Sequence, residues 1–108
     1  MKILLDECID HRFRFEFADH DVKTVSLMEW SALQNGILLE QAEQEFDVFI
    51  TVDANIRFQQ NLAKVDLAII VLRPQRNKLS FLCELIPQIN SVLRTIKSGD
   101  TITVSPKE

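Results

Sequence analysis

Lys2-Ile3-Leu4-Leu5-Asp6-Glu7 is an apolar run that ends abruptly in two carboxylates. A strand with one wet face alternates apolar and polar residues. Ile3 to Leu5 do not, so they read as a strand buried on both faces of a parallel sheet. Val48-Phe49-Ile50-Thr51-Val52 repeats the design and is followed by Asp53. Neighbouring parallel strands open their carboxyl ends onto one crevice, where open α/β sheets bind ligands. Asp6, Glu7 and Asp53 are expected to converge there. Carboxylates brought together repel one another unless protons or a cation neutralise them, so the chemical expectation is a divalent-metal site.

Working outward, Ile9, Phe13 and Phe17 recur at helical spacing behind Asp10, a well-typed N-cap. Arg12 to Phe17 also alternate with strand period. A helix is preferred, because two parallel strands need a crossover and no other segment is available for one. Val22 to Val25 form a second strand, and Ser26 to Gln34, with Trp30, an irregular stretch. Asn35-Gly36 punctuates the chain ahead of a helix from about Ile37 to Glu45, with Asn35 as its cap and Leu38, Ala42 and Phe46 inside. Asp47 to Val52 make the third strand. Ala54 to Ala63 is polar and short, one or two helical turns. Leu67 to Leu72 is a buried strand ended by Arg73-Pro74.

From Leu79 to Lys97, Leu82, Leu85, Ile86, Ile89, Leu93 and Ile96 form one helical stripe. Pro87 interrupts it and predicts a kink or a break into two helices. Ser98-Gly99-Asp100 closes this segment, and Thr101 to Val104 add an edge strand. The order β-α-β-α-β-(α)-β-α-β predicts an α/β three-layer sandwich with a mainly parallel sheet of order 2-1-3-4-5. The switch point then falls between Asp6 and Asp53.

With 108 residues, 46% hydrophobic and 26% charged, the chain reads as a single globular domain over 1-108. No apolar run is long enough to span a bilayer. The chain starts directly in a core strand, so no signal peptide is expected. Cys8 and Cys83 lack paired metal-ligand spacing, and reduced thiols in a cytoplasmic protein are expected. A formal net charge of −4 argues against a general nucleic-acid coat protein but leaves room for a local basic rim.

Met1-Lys2-Ile3-Leu4-Leu5-Asp6-Glu7, then Asn35-Gly36-Ile37-Leu38 opening a helix, then Phe49-Ile50-Thr51-Val52-Asp53-Ala54-Asn55 resemble a family of short PIN-like proteins, mostly bacterial. The resemblance covers nearly the whole chain. It rests on an ordered set of motifs, none of them specific alone. It implies a PIN-like α/β/α sandwich and a metal-dependent ribonuclease, commonly the toxin of a VapC-type toxin–antitoxin pair. It also implies Mg2+ or Mn2+ at Asp6, Glu7 and Asp53, an RNA substrate and a cognate antitoxin protein. Two positions depart from the pattern. The helix-opening position that is often acidic in the relatives is Asn35, and the second acid of the Thr-x-Asp-x-Asp pattern is Asn55. An amide oxygen still coordinates a hard cation or orients a water, but brings no charge.

Each candidate has a plainer reading beside it. Asp6 and Glu7 also fit a strand end emerging into solvent, Asn35 a helix cap, and Asn55 a turn. Arg57, with Gln59, Gln60 and Asn61, would grip phosphate or sugar, or simply solvate a short helix. Arg73, Arg76 and Lys78 follow the fourth strand and share the acids' sheet edge, which makes them the candidate phosphate-gripping rim. Arg12 could reach the crevice from the first helix, whereas His11 reads as surface. Trp30 reads as a packing anchor or a protein contact rather than a base-stacking platform, and any surplus apolar face on the last helix would favour a homodimer.

Three functions compete. The first is the Mg2+- or Mn2+-dependent endoribonuclease, with Asp6, Glu7, Asp53, Asn35 and Asn55 as catalytic residues. The second is a catalytically degenerate module that binds RNA or protein. The third is a receiver-like phosphoacceptor domain, which also carries an acidic pair after strand one and an Asp after strand three. That class needs a hydroxyl after the fourth strand and a Lys after the fifth. Here the fourth ends Leu72-Arg73-Pro74, so it ranks last.

Overall fold

The computed structural model describes residues 1–56 and 61–107. In chain order its elements are β1 (Lys2–Leu5), a 3-10 helix (His11–Glu16), β2 (Asp21–Thr24), α1 (Asn35–Glu45), β3 (Val48–Thr51), a second 3-10 helix (Leu62–Lys64), β4 (Ala68–Leu72), α2 (Leu79–Cys83), α3 (Ile86–Leu93) and β5 (Thr101–Val104). Arg57, Gln59 and Gln60 lie outside the described residues.

All five strands pair in parallel, in the order β2-β1-β3-β4-β5 anticipated from the sequence. Leu5 sits opposite Ile50, and Ile50 opposite Ile70. Every residue of β3 and β4 is buried, because both sheet faces are covered. On one face Ile3, Leu5, Val48, Ile50 and Ile70 meet Phe13 of the first 3-10 helix, Leu82 of α2, Ile89 and Leu93 of α3, and Leu85 between the two helices. On the other, Leu4, Phe49, Ile69 and Val71 meet Leu38, Leu39 and Ala42 of α1 and Leu62.

This placement has a topological consequence. The β1–β2 and β4–β5 connections lie on the same face but step in opposite directions across the sheet, so they have opposite hands. The β2–β3 and β3–β4 connections lie on the other face, step the other way from β1–β2, and share its hand. One crossover of four is therefore reversed, in a class that is almost always right-handed. The reversal sets α2 beside the first 3-10 helix.

Several elements differ locally from expectation. The first crossover is a 3-10 helix, not an α-helix. Asp10 caps it by accepting the Arg12 N–H at 3.0 Å. Ile9, Phe13 and Phe17 are buried as their spacing predicts, with the two rings edge to face at 5.2 Å. Of the three only Phe13 lies within the six-residue helix; Ile9 and Phe17 flank it and turn inward from its two ends. The alternating Phe15 stays 71% exposed, under the Arg14 guanidinium. α1 begins two residues earlier than expected. Asn35 is its first residue, and Gln34 holds the cap position without a side-chain cap bond, so the capping role read for Asn35 is corrected.

The last helical segment breaks into α2 and α3, as Pro87 predicts. The break falls before the proline. A prolyl ring clashes with the carbonyl four residues earlier, and Cys83, at that position, is the last residue of α2. Pro87 itself sits in the first turn of α3, where its missing N–H loses nothing. Gly99 adopts φ +89°, a left-handed conformation that opens the turn into β5.

Candidate functional site

β1 and β3 end side by side at the carboxyl edge of the sheet. The Asp6 N–H donates to the Ile50 carbonyl at 2.9 Å and carries the β1–β3 ladder one residue past β1. Thr51, the last residue of β3, is completely buried. A hydroxyl taken fully out of water must be hydrogen-bonded. Its O–H donates to Asp6 Oδ2 at 2.7 Å, while its oxygen accepts the Asp53 backbone N–H at 3.0 Å. Cys8 Sγ lies 3.7 Å from the same oxygen. Because the one hydroxyl proton goes to Asp6, the thiol is the donor in that contact.

The two strand ends are thus joined through one threonine. Asp6 Oδ1 accepts the Glu7 N–H at 2.8 Å, and Asp53 Oδ1 accepts the Asn55 N–H at 3.0 Å, an Asx-turn. Both acids are half-buried: Asp6 is held by the Glu7 N–H and the Thr51 hydroxyl, and Asp53 by the Asn55 N–H. Burial, ahead of the neighbouring Asp6 charge, pushes the Cys8 thiol up. The residue as a whole is exposed, but its sulfur turns inward to Thr51.

The other candidates take their places around this junction. Glu7 follows Asp6 and is exposed. Asn55 is exposed and engages the site through its backbone. Asn35, half-buried, heads α1, which runs from the end of β2 back to the start of β3, so its first turn lies toward the same edge. Among the described residues, no three or more His, Cys, Asp and Glu side chains are grouped to hold a metal ion. The linkage on display is the pair Asp6 and Asp53, with Thr51 between.

Arg73, Arg76 and Lys78 are exposed on the loop that leaves β4 at the same edge. The Arg73 N–H donates to the Val104 carbonyl at 2.8 Å and extends the β4–β5 ladder. Asn77, unremarked in the sequence reading, donates from Nδ2 to the Cys8 carbonyl at 2.8 Å, across 69 positions of chain. Arg12 does not reach the crevice: its guanidinium is paired with Asp10 at 2.6 Å. His11 is exposed, as read. Trp30 is half-buried and packs edge to face on Phe46 at 6.0 Å, in the anchoring role expected.

Thr51 and Asn77 were not singled out as site residues in the sequence. A β-branched Thr at the end of a strand reads as an ordinary strand residue. The available signal was the Thr-x-Asp spacing, in which the hydroxyl can meet the backbone N–H two residues on. Nothing local marks Asn77. No helix among the described residues is long and apolar enough to cross a membrane. No protein-family model matches the chain, and neither a curated protein nor a solved structure matches it.

Proposed function

We propose that the chain is a PIN-like, metal-dependent endoribonuclease that hydrolyses RNA phosphodiesters and acts as the toxin of a toxin–antitoxin pair. The observation that carries the nuclease reading is the junction at the carboxyl edge, where one buried Thr51 hydroxyl joins Asp6 to the turn of Asp53. The toxin role and the antitoxin partner rest on the resemblance of the quoted motifs alone.

In this reading Asp6 and Asp53 hold Mg2+ or Mn2+, and Glu7 adds a third carboxylate from the β1 exit. Such an ion, when bound, lowers the pKa of a water and offsets the charge that builds on the scissile phosphate. Asp53 or Glu7 accepts the proton of the attacking water. Asn35 and Asn55 orient that water or the ribose through amide groups. Arg73, Arg76 and Lys78 grip the phosphates on either side of the cleaved bond.

A second reading is favoured by the amides at 35 and 55 and by the absence, among the described residues, of a three-ligand group. It is a degenerate PIN-like module that binds RNA or protein without cutting. Purified protein incubated with structured and single-stranded RNA, in magnesium or manganese, separates the two. Cleavage that disappears in Asp6→Asn and Asp53→Asn supports the nuclease. RNA binding without cleavage across both metals supports the module.

A further inference from the structure

β1 and β4 are not neighbours in the sheet, because β3 lies between them. The hydrogen bond from Asn77 Nδ2 to the Cys8 carbonyl nevertheless joins their exit loops. It therefore spans the exit of β3, which carries Thr51 and Asp53. One end of the loop is fixed by the Arg73–Val104 ladder bond, and the other by Lys78, whose carbonyl accepts from Phe81 and Leu82 in the first turn of α2. Between those fixed ends, the side-chain contact that ties the loop to the β1 exit is that of Asn77. It lies between Arg76 and Lys78, and because Lys78 is already held by α2, its bond bears chiefly on where Arg76 stands.

We propose that Asn77 is a positioning residue, a latch that holds the 73–78 loop over the carboxyl edge so that Arg73, Arg76 and Lys78 act together as a phosphate-binding arm for single-stranded RNA. This rests on the ribonuclease reading above and adds to it the residue that couples the basic arm to the acids. The amide must donate, because its partner is a carbonyl. A leucine of similar size cannot do so, and releases the loop while leaving its charges in place.

Release without loss of charge has a readout that general destabilisation does not share. Each phosphate neutralised on a single strand contributes about −0.7 to the slope of log affinity against log salt, so three cations acting together contribute about −2. A smaller active fraction lowers the apparent amplitude and leaves that slope unchanged.

The test measures binding of a fluorescein-labelled, mixed-sequence single-stranded RNA between about 50 and 200 mM salt. It is done in EDTA and again with calcium, to suppress cleavage. The proteins are the wild type, Asn77→Ala, Asn77→Leu and the triple Arg73→Gln/Arg76→Gln/Lys78→Gln. The triple is expected to lose about 2 from the slope, and each Asn77 variant about 1, with about tenfold weaker binding at the low-salt end. If both Asn77 variants keep the wild-type slope while the triple loses it, the latch is overturned and the nuclease reading stands. If the wild type binds but the triple keeps its slope, the loop is not the arm, and the latch falls with it. If the wild type neither binds nor cleaves RNA, the ribonuclease reading itself fails and takes the latch along.

Discussion

The two ends of the sheet carry similar acids in different employment. At the amino edge, Asp47 accepts the Lys2 N–H at 2.8 Å, Glu43 accepts the Asp66 N–H at 2.8 Å, and Ser98 donates to Asp66. These bonds staple segments 45, 23 and 32 residues apart. At the carboxyl edge, Asp6 and Asp53 accept from N–H groups one and two residues away, and the longer tie is supplied by Thr51. The direction of the strands explains the contrast. Parallel strands present N–H groups where they begin, and acids there are absorbed as caps. Where strands end they present carbonyls, which have no proton to give an acid. Cavities of about 420 and 540 Å3 lie at the amino edge, but they contain no residue of the Asp6–Thr51–Asp53 junction.

The comparison breaks most sharply under substitution of the carboxyl-edge acids. Asp6→Asn and Asp53→Asn are expected to lower RNA cleavage by about a hundredfold or more, while stability falls by no more than about 1–2 kcal/mol. Cleavage assays alongside urea unfolding check both halves. Thr51→Val keeps the shape but leaves the Asp53 N–H and Asp6 Oδ2 without their partner. It is expected to be destabilising by about 1–3 kcal/mol and to reduce cleavage through misplaced acids. A variant of full stability and full activity would sever the proposed link between the strands.

At the amino edge the balance reverses. Asp47→Ala and Glu43→Ala should each be destabilising by about 0.5–1.5 kcal/mol in urea, with RNA cleavage unchanged. Loss of cleavage without loss of stability would move the chemistry to the wrong end of the sheet.

Thiol reactivity offers a finer probe. Cys8 is pushed up chiefly by burial, and Cys83 is raised to about 11 by burial and then by its bond to Glu16. Both should react with iodoacetamide near pH 7 more slowly than an unstructured thiol, with rates that climb as the pH rises.

The smallest effect concerns Asp10, whose carboxyl is held well below the usual range first by the Arg12 side-chain bond and then by the Arg12 N–H. A depressed acid contributes stability that is present above its unfolded pKa and is lost as pH falls through the folded one. Asp10→Asn should therefore flatten the acid limb of a stability-against-pH curve slightly, an effect further reduced by salt because the pair is exposed.

Much of the architecture is legible in the sequence. Unbroken apolar runs at Ile3–Leu5 and Ala68–Leu72 read as strands covered on both sides, and an acid follows each of β1 and β3. Pro87 announced the break between α2 and α3. Less visible was the kind of helix over His11–Glu16, because three phenylalanines at mixed spacing satisfy more than one period. The reversed hand of the last crossover was also hidden, since a stripe of leucines specifies an inward face without saying which face of the sheet it meets.

By itself, then, the order of residues determined that there would be a covered parallel sheet and that acids would stand at strand ends, because both follow from local pattern and strand direction. The meeting of Asp6 with Thr51, 45 positions apart, and of Asn77 with Cys8, 69 apart, was decided by tertiary structure alone. A hydrogen bond depends on a few tenths of an ångström and a direction. Those are fixed by how strand exits and loops pack against one another, which no periodicity in the chain encodes.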